Sequence, residues 1–156
     1  MTEVYLYDAV RTPRGKARPD GGLAKLSPQE LVRSQAAALA ARCGEIMPDA
    51  LILGCVTQSG AQGGHIALVS RLHAGLPDQT AAHSINNYCA SGLSAIGQAA
   101  AKVASGEIVA ALAGGVESMS SAPFLGDRAG YYTNDELPPR ARFVPAVLAA
   151  DRLAHA

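Results

Sequence analysis

A chain of 156 residues, 49% of them apolar, has the length of one ordinary domain and enough apolar side chains for a core, with roughly 70% of the unfolded surface buried on folding. Thirteen Lys plus Arg against thirteen Asp plus Glu leave no net charge, which argues against a nucleic-acid or membrane-surface role driven by a basic field. Three cysteines without a CxxC spacing argue against a disulfide framework and against a zinc site, and with neither a ~20-residue apolar span nor a basic-then-apolar leader the sequence reads as cytoplasmic.

Val4 to Val10 is a nearly continuous apolar run, the pattern of a strand buried on both faces. Arg11 to Lys25 follows as a Gly- and Pro-containing loop that carries Arg14, Lys16 and Arg18. Those three charges suit ligand phosphates or, more ordinarily, a solvated loop. Ser27-Pro28-Gln29-Glu30 marks a helix start: an N-cap hydroxyl, a proline at the first helical position and a glutamate at the capping-box position. That helix is predicted to run to Arg42 or Cys43, with Gly44 as its stop and Cys43 as a small packed residue.

Ala50 to Val56 predicts a second buried strand. Cys55, near its end, is a rival nucleophile because ligands of open α/β sheets bind beyond the carboxyl ends of strands. No helix start follows it, however, and Thr57 to Gly64 lacks the glycine spacings of a phosphate cradle. His65 to Ala74 predicts a helix with Ile66, Val69 and Leu72 as its apolar stripe. His65 and His73, eight apart, lack the i, i+4 spacing of paired metal ligands and are read as surface or edge residues. Thr80 to Ile85 predicts a third strand containing His83.

Cys89 comes next, where that strand gives way to a helix over Ala90 to Ser105 with Leu93, Ile96, Ala100 and Val103 at steps of three and four. The first amides of a helix have no partner within it, and the aligned peptide dipoles favour an anion there. A thiolate is such an anion. Ser91 and Gly92 are small enough to let a ligand approach the backbone, whose amides would hold a developing oxyanion. The dipole alone is worth at most about 1–2 kcal/mol, which leaves most of a thiol protonated at neutral pH, so efficient chemistry asks for a base as well. His83 lies roughly 20 Å back along an extended run at ~3.3 Å per residue and is not that base.

Ile108 to Ala113 predicts a fourth strand, and Gly114 and Gly115 a tight turn on the same side of the sheet as Cys89. The order β-α-β-α-β-α-β makes the fold class α/β, with a parallel or mostly parallel sheet, right-handed crossovers and helices on both faces. From Ser120 to Pro145 the periodicity lapses into a long irregular connection. Val144 to Ala156 reads as the start of another helix.

Asn87-Tyr88-Cys89-Ala90-Ser91-Gly92-Leu93, followed by Gly114-Gly115-Val116-Glu117-Ser118-Met119-Ser120, resembles the N-terminal part of a thiolase, an acetyl-CoA acetyltransferase or 3-ketoacyl-CoA thiolase. Asp8-Ala9-Val10-Arg11-Thr12-Pro13 and Pro123 support it. β-Ketoacyl synthases also place a cysteine at a helix start, but the second motif speaks for a thiolase. The resemblance implies a thiolase-like, incomplete first half of that fold: an α/β core over 1–119 and the start of an inserted loop domain over 120–156.

It also implies that Cys89 takes the acyl group of a 3-ketoacyl-CoA or acyl-CoA as a thioester. Coenzyme A or a second acyl-CoA completes thiolysis or Claisen condensation, without metal or redox cofactor. The implied partners are acyl-CoA and coenzyme A, together with a homo-oligomer or a complementing C-terminal thiolase half. The family motifs for the activating histidine (GHPxGxSG-like), the second cysteine (CxGGG-like) and the oxyanion-hole asparagine (NEAF-like) have no match in this sequence. The expectation is therefore at most weak acylation of Cys89 by the isolated chain and no complete turnover. The alternative is a non-catalytic thiolase-like subunit or binding module in which Cys89 only fills space.

Overall fold

The computed structural model describes residues 3–45 and 47–155. These fall into two compact units, 1–126 and 127–156. The first unit is an α/β layer structure built from α1 (Pro28–Cys43), β1 (Ala50–Gly54), α2 (Ile66–His73), β2 (Ala81–Ile85), α3 (Ser91–Ala104) and β3 (Ala111–Gly115). All three strands are parallel, in the order β2-β1-β3.

β1 is central and buried along its whole length. Because successive side chains alternate across a strand, its residues divide between two cores. Leu51 and Leu53, with Cys55 beyond the strand end, pack with Leu31, Ile66, Ala67 and Val116. Ala50 and Ile52 pack with Ala95 and Ala99 of α3. α1 and α2 therefore cover one face and α3 the other. The path reverses direction between the β1-to-β2 and β2-to-β3 steps, and crossovers of one hand then require helices on opposite faces.

α1 begins as its sequence predicts: the Ser27 hydroxyl accepts the Glu30 amide at 3.2 Å, Pro28 stands in the first turn, and the Gly44 amide closes on Ala40 O. Glu30 does not return the capping-box bond. Its carboxylate takes Arg33 at 2.7 Å and His73 of α2 at 3.0 Å. Hydrogen bonding from Arg33 first, and from His73 second, holds the Glu30 carboxyl at about 2, well below its usual 4.5. A carboxyl depressed on folding contributes stability that is complete above its unfolded value and is lost as the pH falls through its folded value. An acid titration followed by circular dichroism should thus show the wild-type chain losing stability between about pH 4.5 and pH 2 more steeply than Glu30→Gln. Identical profiles would remove Glu30 from the acid response.

Several sequence expectations are corrected by the packing. Val4 to Val10 forms no strand; Leu6 and Tyr7 are 81% and 90% exposed. An apolar run becomes a strand only where a sheet edge pairs with its backbone and a layer covers its side chains, and among the described residues neither occurs. Asp8 instead holds Arg42 at the end of α1, at 2.8 Å. Cys43 is exposed rather than packed, because α1 buries only Pro28 and Leu31 near its start. α2 buries Ile66, Ala67 and Ser70, leaving Leu72 in solvent.

β3 starts later than the apolar run that predicts it. The Asp49 carboxylate captures the Val109 and Ala110 amides at 2.7 and 3.1 Å before the strand begins, and those bonds lower its pKa. Gly114 and Gly115 are consequently not a turn. They are the last two residues of β3, paired with Leu53 and Gly54.

The second unit contains 3₁₀ turns at Gly130–Thr133 and Pro139–Ala141 and helix α4 (Ala146–Ala154). The Tyr132 and Phe143 rings meet at a tilt of 52° with their centroids 4.7 Å apart, and Tyr131 stands edge-on to Phe143 at 5.7 Å. The Arg142 guanidinium donates to the Leu137 and Asp135 carbonyls at 2.9 and 2.7 Å. Neither of these turns nor α4 contains a buried residue. Among the described residues no helix is long and apolar enough to cross a membrane.

Candidate active site

Parallel pairing brings Gly54, Ile85 and Gly115 to one edge of the sheet. The segments that leave these strands are laced together there. Cys55 N–H donates to Ile85 O and Val116 N–H to Gly54 O, each at 3.0 Å. Glu117 then folds over the segment after β1: its carboxylate accepts the Val56 amide at 2.8 Å, the Thr57 amide at 3.2 Å and Gln62 Nε2 at 2.9 Å. Gln62 is fully buried, gives its other amide proton to Thr57 O and accepts the Ser118 amide. One carboxylate and one carboxamide thus join the β1 and β3 segments.

The segment after β2 carries Cys89. Tyr88 adopts a left-handed conformation, φ 47°, which is uncommon for a bulky residue. The chain reverses around it: Ala90 N–H reaches Asn87 O at 3.1 Å and Ser91 N–H reaches Tyr88 O at 2.9 Å. Ser91 opens α3. Cys89 therefore stands just outside the helix start, as the sequence leads one to expect, and the structure leaves it exposed. No side chain caps α3, so the positive end of its dipole is left without an internal counter-charge.

The role of the small residues differs from the sequence reading. Ser91 is buried, and a Cβ built on Gly115 would meet the Gly92 Cα at 3.2 Å. A Cβ at Gly54 would overlap the Ser91 carbonyl and lie 2.5 Å from the Gly92 nitrogen. Gly92 and Ser91 thus face the sheet rather than a ligand, and three glycines let the helix start press directly onto the ends of β1 and β3. For the same reason α3 turns its small side chains Ser91, Ala95 and Ala99 to the sheet. Leu93, 74% exposed, and Ile96 point away, against the predicted stripe. The amides of Ala90 and Ser91 are occupied by the local turn, so an oxyanion there would be held by other donors.

The remaining candidates separate clearly. Cys55 is buried with Sγ 3.8 Å from Glu117 Oε2; burial first, then the Glu117 charge and hydrogen bond, push its thiol up to about 12. Cys43 lies 3.9 Å from Asp8 at the far end of α1. His83 stays in mid-strand, paired with Ile52. The His65 ring caps α2, with Nδ1 accepting the Leu68 amide at 3.3 Å and lying 2.9 Å from Ser84 Oγ. His73 is bound to Glu30. None of these three is among the groups bonded to the Cys89 turn. Arg14, Lys16 and Arg18 rim an open 450 Å³ depression that Asp20 also lines.

Sequence reasoning passes over Gln62 and Asn86 as organisers of this edge. The available signal for the second is Asn86-Asn87 directly before a helix, since asparagine bonds to backbone two residues on and so initiates turns.

The family of the thiolase N-terminal domain matches residues 4–137. A beta-ketoadipyl-CoA thiolase of Pseudomonas knackmussii is 42% identical over 126 residues, covering 79% of this chain and 31% of that protein. A 3-ketoacyl-CoA thiolase of Bacillus subtilis is 40% identical, covering 81% and 32%. A 3-oxoadipyl-CoA/3-oxo-5,6-dehydrosuberyl-CoA thiolase of Escherichia coli is 38% identical, covering 80% and 31%. The chain spans about a third of the length of these relatives.

Proposed function

The chain belongs to the thiolase family, and on that premise we propose that it supplies the nucleophile of an acyl-CoA acyltransferase, with Cys89 as the residue that carries the acyl group. The observation that carries this reading is the placement of Cys89: exposed, at the uncapped start of α3, on the edge where parallel strands end. A helix start favours the thiolate, and ligands of such sheets bind at that edge. Cys55, with its thiol pushed to about 12, is a poor rival.

The names of the relatives share one substrate class, 3-ketoacyl-CoA thioesters. In thiolysis the Cys89 thiolate attacks the C3 keto carbon. The C2–C3 bond breaks, its electron pair leaves with the acetyl-CoA fragment and takes up a proton, and the acyl group remains on Sγ as a thioester. Coenzyme A thiolate then attacks that thioester and frees Cys89; condensation runs the same bonds in reverse. The substrates are coenzyme A thioesters and no further cofactor is assigned. The base for Cys89 comes from a complementing C-terminal thiolase half, since the family's histidine motif has no match in this chain and a second copy would lack it too; a homo-oligomer is the other partner in this reading. In this reading residues 1–119 are the thiolase core, 120–156 open the inserted loop domain, and the setting is cytoplasmic.

Denaturing intact-mass spectrometry with and without a short 3-ketoacyl-CoA, followed by peptide mapping, tests it. The expected result is one acyl adduct on Cys89, lost in Cys89→Ser and kept in Cys43→Ser and Cys55→Ser. Acylation that survives Cys89→Ser overturns the assignment. No adduct even with a complementing thiolase half present turns the reading to a non-catalytic subunit.

A further inference from the structure

The left-handed conformation of Tyr88 is the least favourable backbone feature beside Cys89, and such features persist only where their surroundings over-determine them. Its backbone is pinned on both sides. The Asn86 Oδ1 accepts the Tyr88 amide at 2.9 Å. The Ser91 hydroxyl donates to the Tyr88 carbonyl at 2.6 Å and accepts the Asn87 amide at 2.8 Å. Asn86 is itself held, because its Nδ2 donates to Val56 O at 3.1 Å. Val56 in turn is bound through its amide to Glu117 at 2.8 Å. A chain of hydrogen bonds therefore runs from the β3 segment through the β1 segment to the turn that presents Cys89.

We infer that Asn86 is a positioning residue for Cys89: it holds Tyr88 in the left-handed conformation and ties the cysteine turn to the scaffold joined by Glu117. This rests on the reading of Cys89 as the nucleophile. If Tyr88 relaxes to a negative φ, the turn bonds from Ala90 and Ser91 open, and Cys89 moves away from the start of α3. Asn86 touches no reacting atom in this account. Its effect passes through backbone geometry alone, and that makes it separable from a general contribution to folding.

The test is a double-substitution cycle on the whole protein. Asn86→Ala, Tyr88→Gly, the two combined, and Asn86→Ser are compared in two measurements: acylation by a short 3-ketoacyl-CoA, and alkylation of Cys89 by iodoacetamide read by peptide mapping. Thermal midpoints establish that each variant is folded. Asn86→Ala should slow both reactions by about tenfold, the scale of one lost hydrogen bond that defines a geometry. Glycine adopts a positive φ freely, so in the Tyr88→Gly background the same substitution should cost less than about threefold. Asn86→Ser, whose hydroxyl makes the same turn more weakly, should fall between.

Equal effects of Asn86→Ala in both backgrounds would overturn the inference, since a merely structural tie to Val56 is indifferent to residue 88. An unchanged rate in Asn86→Ala would overturn it as well. Should the wild-type protein show no acylation, the nucleophile reading fails by itself, while iodoacetamide alkylation still decides whether Asn86 positions Cys89.

Discussion

Gly54→Ala should destabilise the protein by about 3 kcal/mol or more, at the upper end of what inserting a methyl group into a close-packed site costs. In this chain that corresponds to a fall of about 10 °C in thermal midpoint, at ~2–4 °C per kcal/mol for a protein of this size. The reason is local. A Cβ at Gly54 would overlap the Ser91 carbonyl and stand 2.5 Å from the Gly92 nitrogen, and both are backbone atoms that no rotamer change moves aside. Either β1 or the start of α3 must shift, and Cys89 lies two residues before Ser91. Alkylation of Cys89 should therefore change in the same variant. Gly97→Ala is the control: it lies in α3 with nothing near the added carbon, and helix propensity predicts a gain of about 0.8–1 kcal/mol. Circular-dichroism melts of both variants check the pair. A Gly54→Ala melt like that of wild type would mean that the contact between β1 and α3 is not close in solution.

Differential thiol labelling has the second large expected effect. With its thiol pushed to about 12 by burial and by Glu117, Cys55 exposes about one thiolate in 10⁴ at pH 8, whereas an ordinary thiol near 8.5 is about a quarter ionised there. Peptide mapping after brief iodoacetamide treatment at pH 8 should find Cys55 labelled more than about 10³-fold more slowly than an ordinary exposed cysteine. Glu117→Gln removes the charge but not the burial, which is the larger cause. Its Cys55 should accelerate only modestly. Fast labelling of Cys55 in the folded wild type would revive it as a nucleophile and weaken the case for Cys89.

Much of the scaffold was legible before folding was considered. α1 announced itself through Ser27, Pro28 and Gly44, each acting on backbone groups within one turn. β1 was legible because a strand buried on both faces leaves an unbroken apolar run, and the position of Cys89 followed from a strand signal meeting a helix signal. Such features depend on neighbours in sequence. The same local reading misplaced the first strand, because Val4 to Val10 has a strand's composition but no edge to pair with among the described residues. It also reversed α3, choosing Leu93 and Ile96 for burial by size, when a sheet ending in Gly54 and Gly115 admits only a small-residue face.

The amino-acid sequence by itself determined the α/β class, the start of α1, the central buried strand and the location of a cysteine at a helix start, since propensity, capping and hydrophobic periodicity are properties of contiguous residues. Only the tertiary structure decided which face of α3 meets the sheet, that Gly54, Gly92 and Gly115 serve close packing, and that Glu117, Gln62 and Asn86 bind three separate segments into one edge. Those contacts join residues from about 30 to 60 positions apart. Their geometry exists only once parallel pairing has brought the ends of β1, β2 and β3 together.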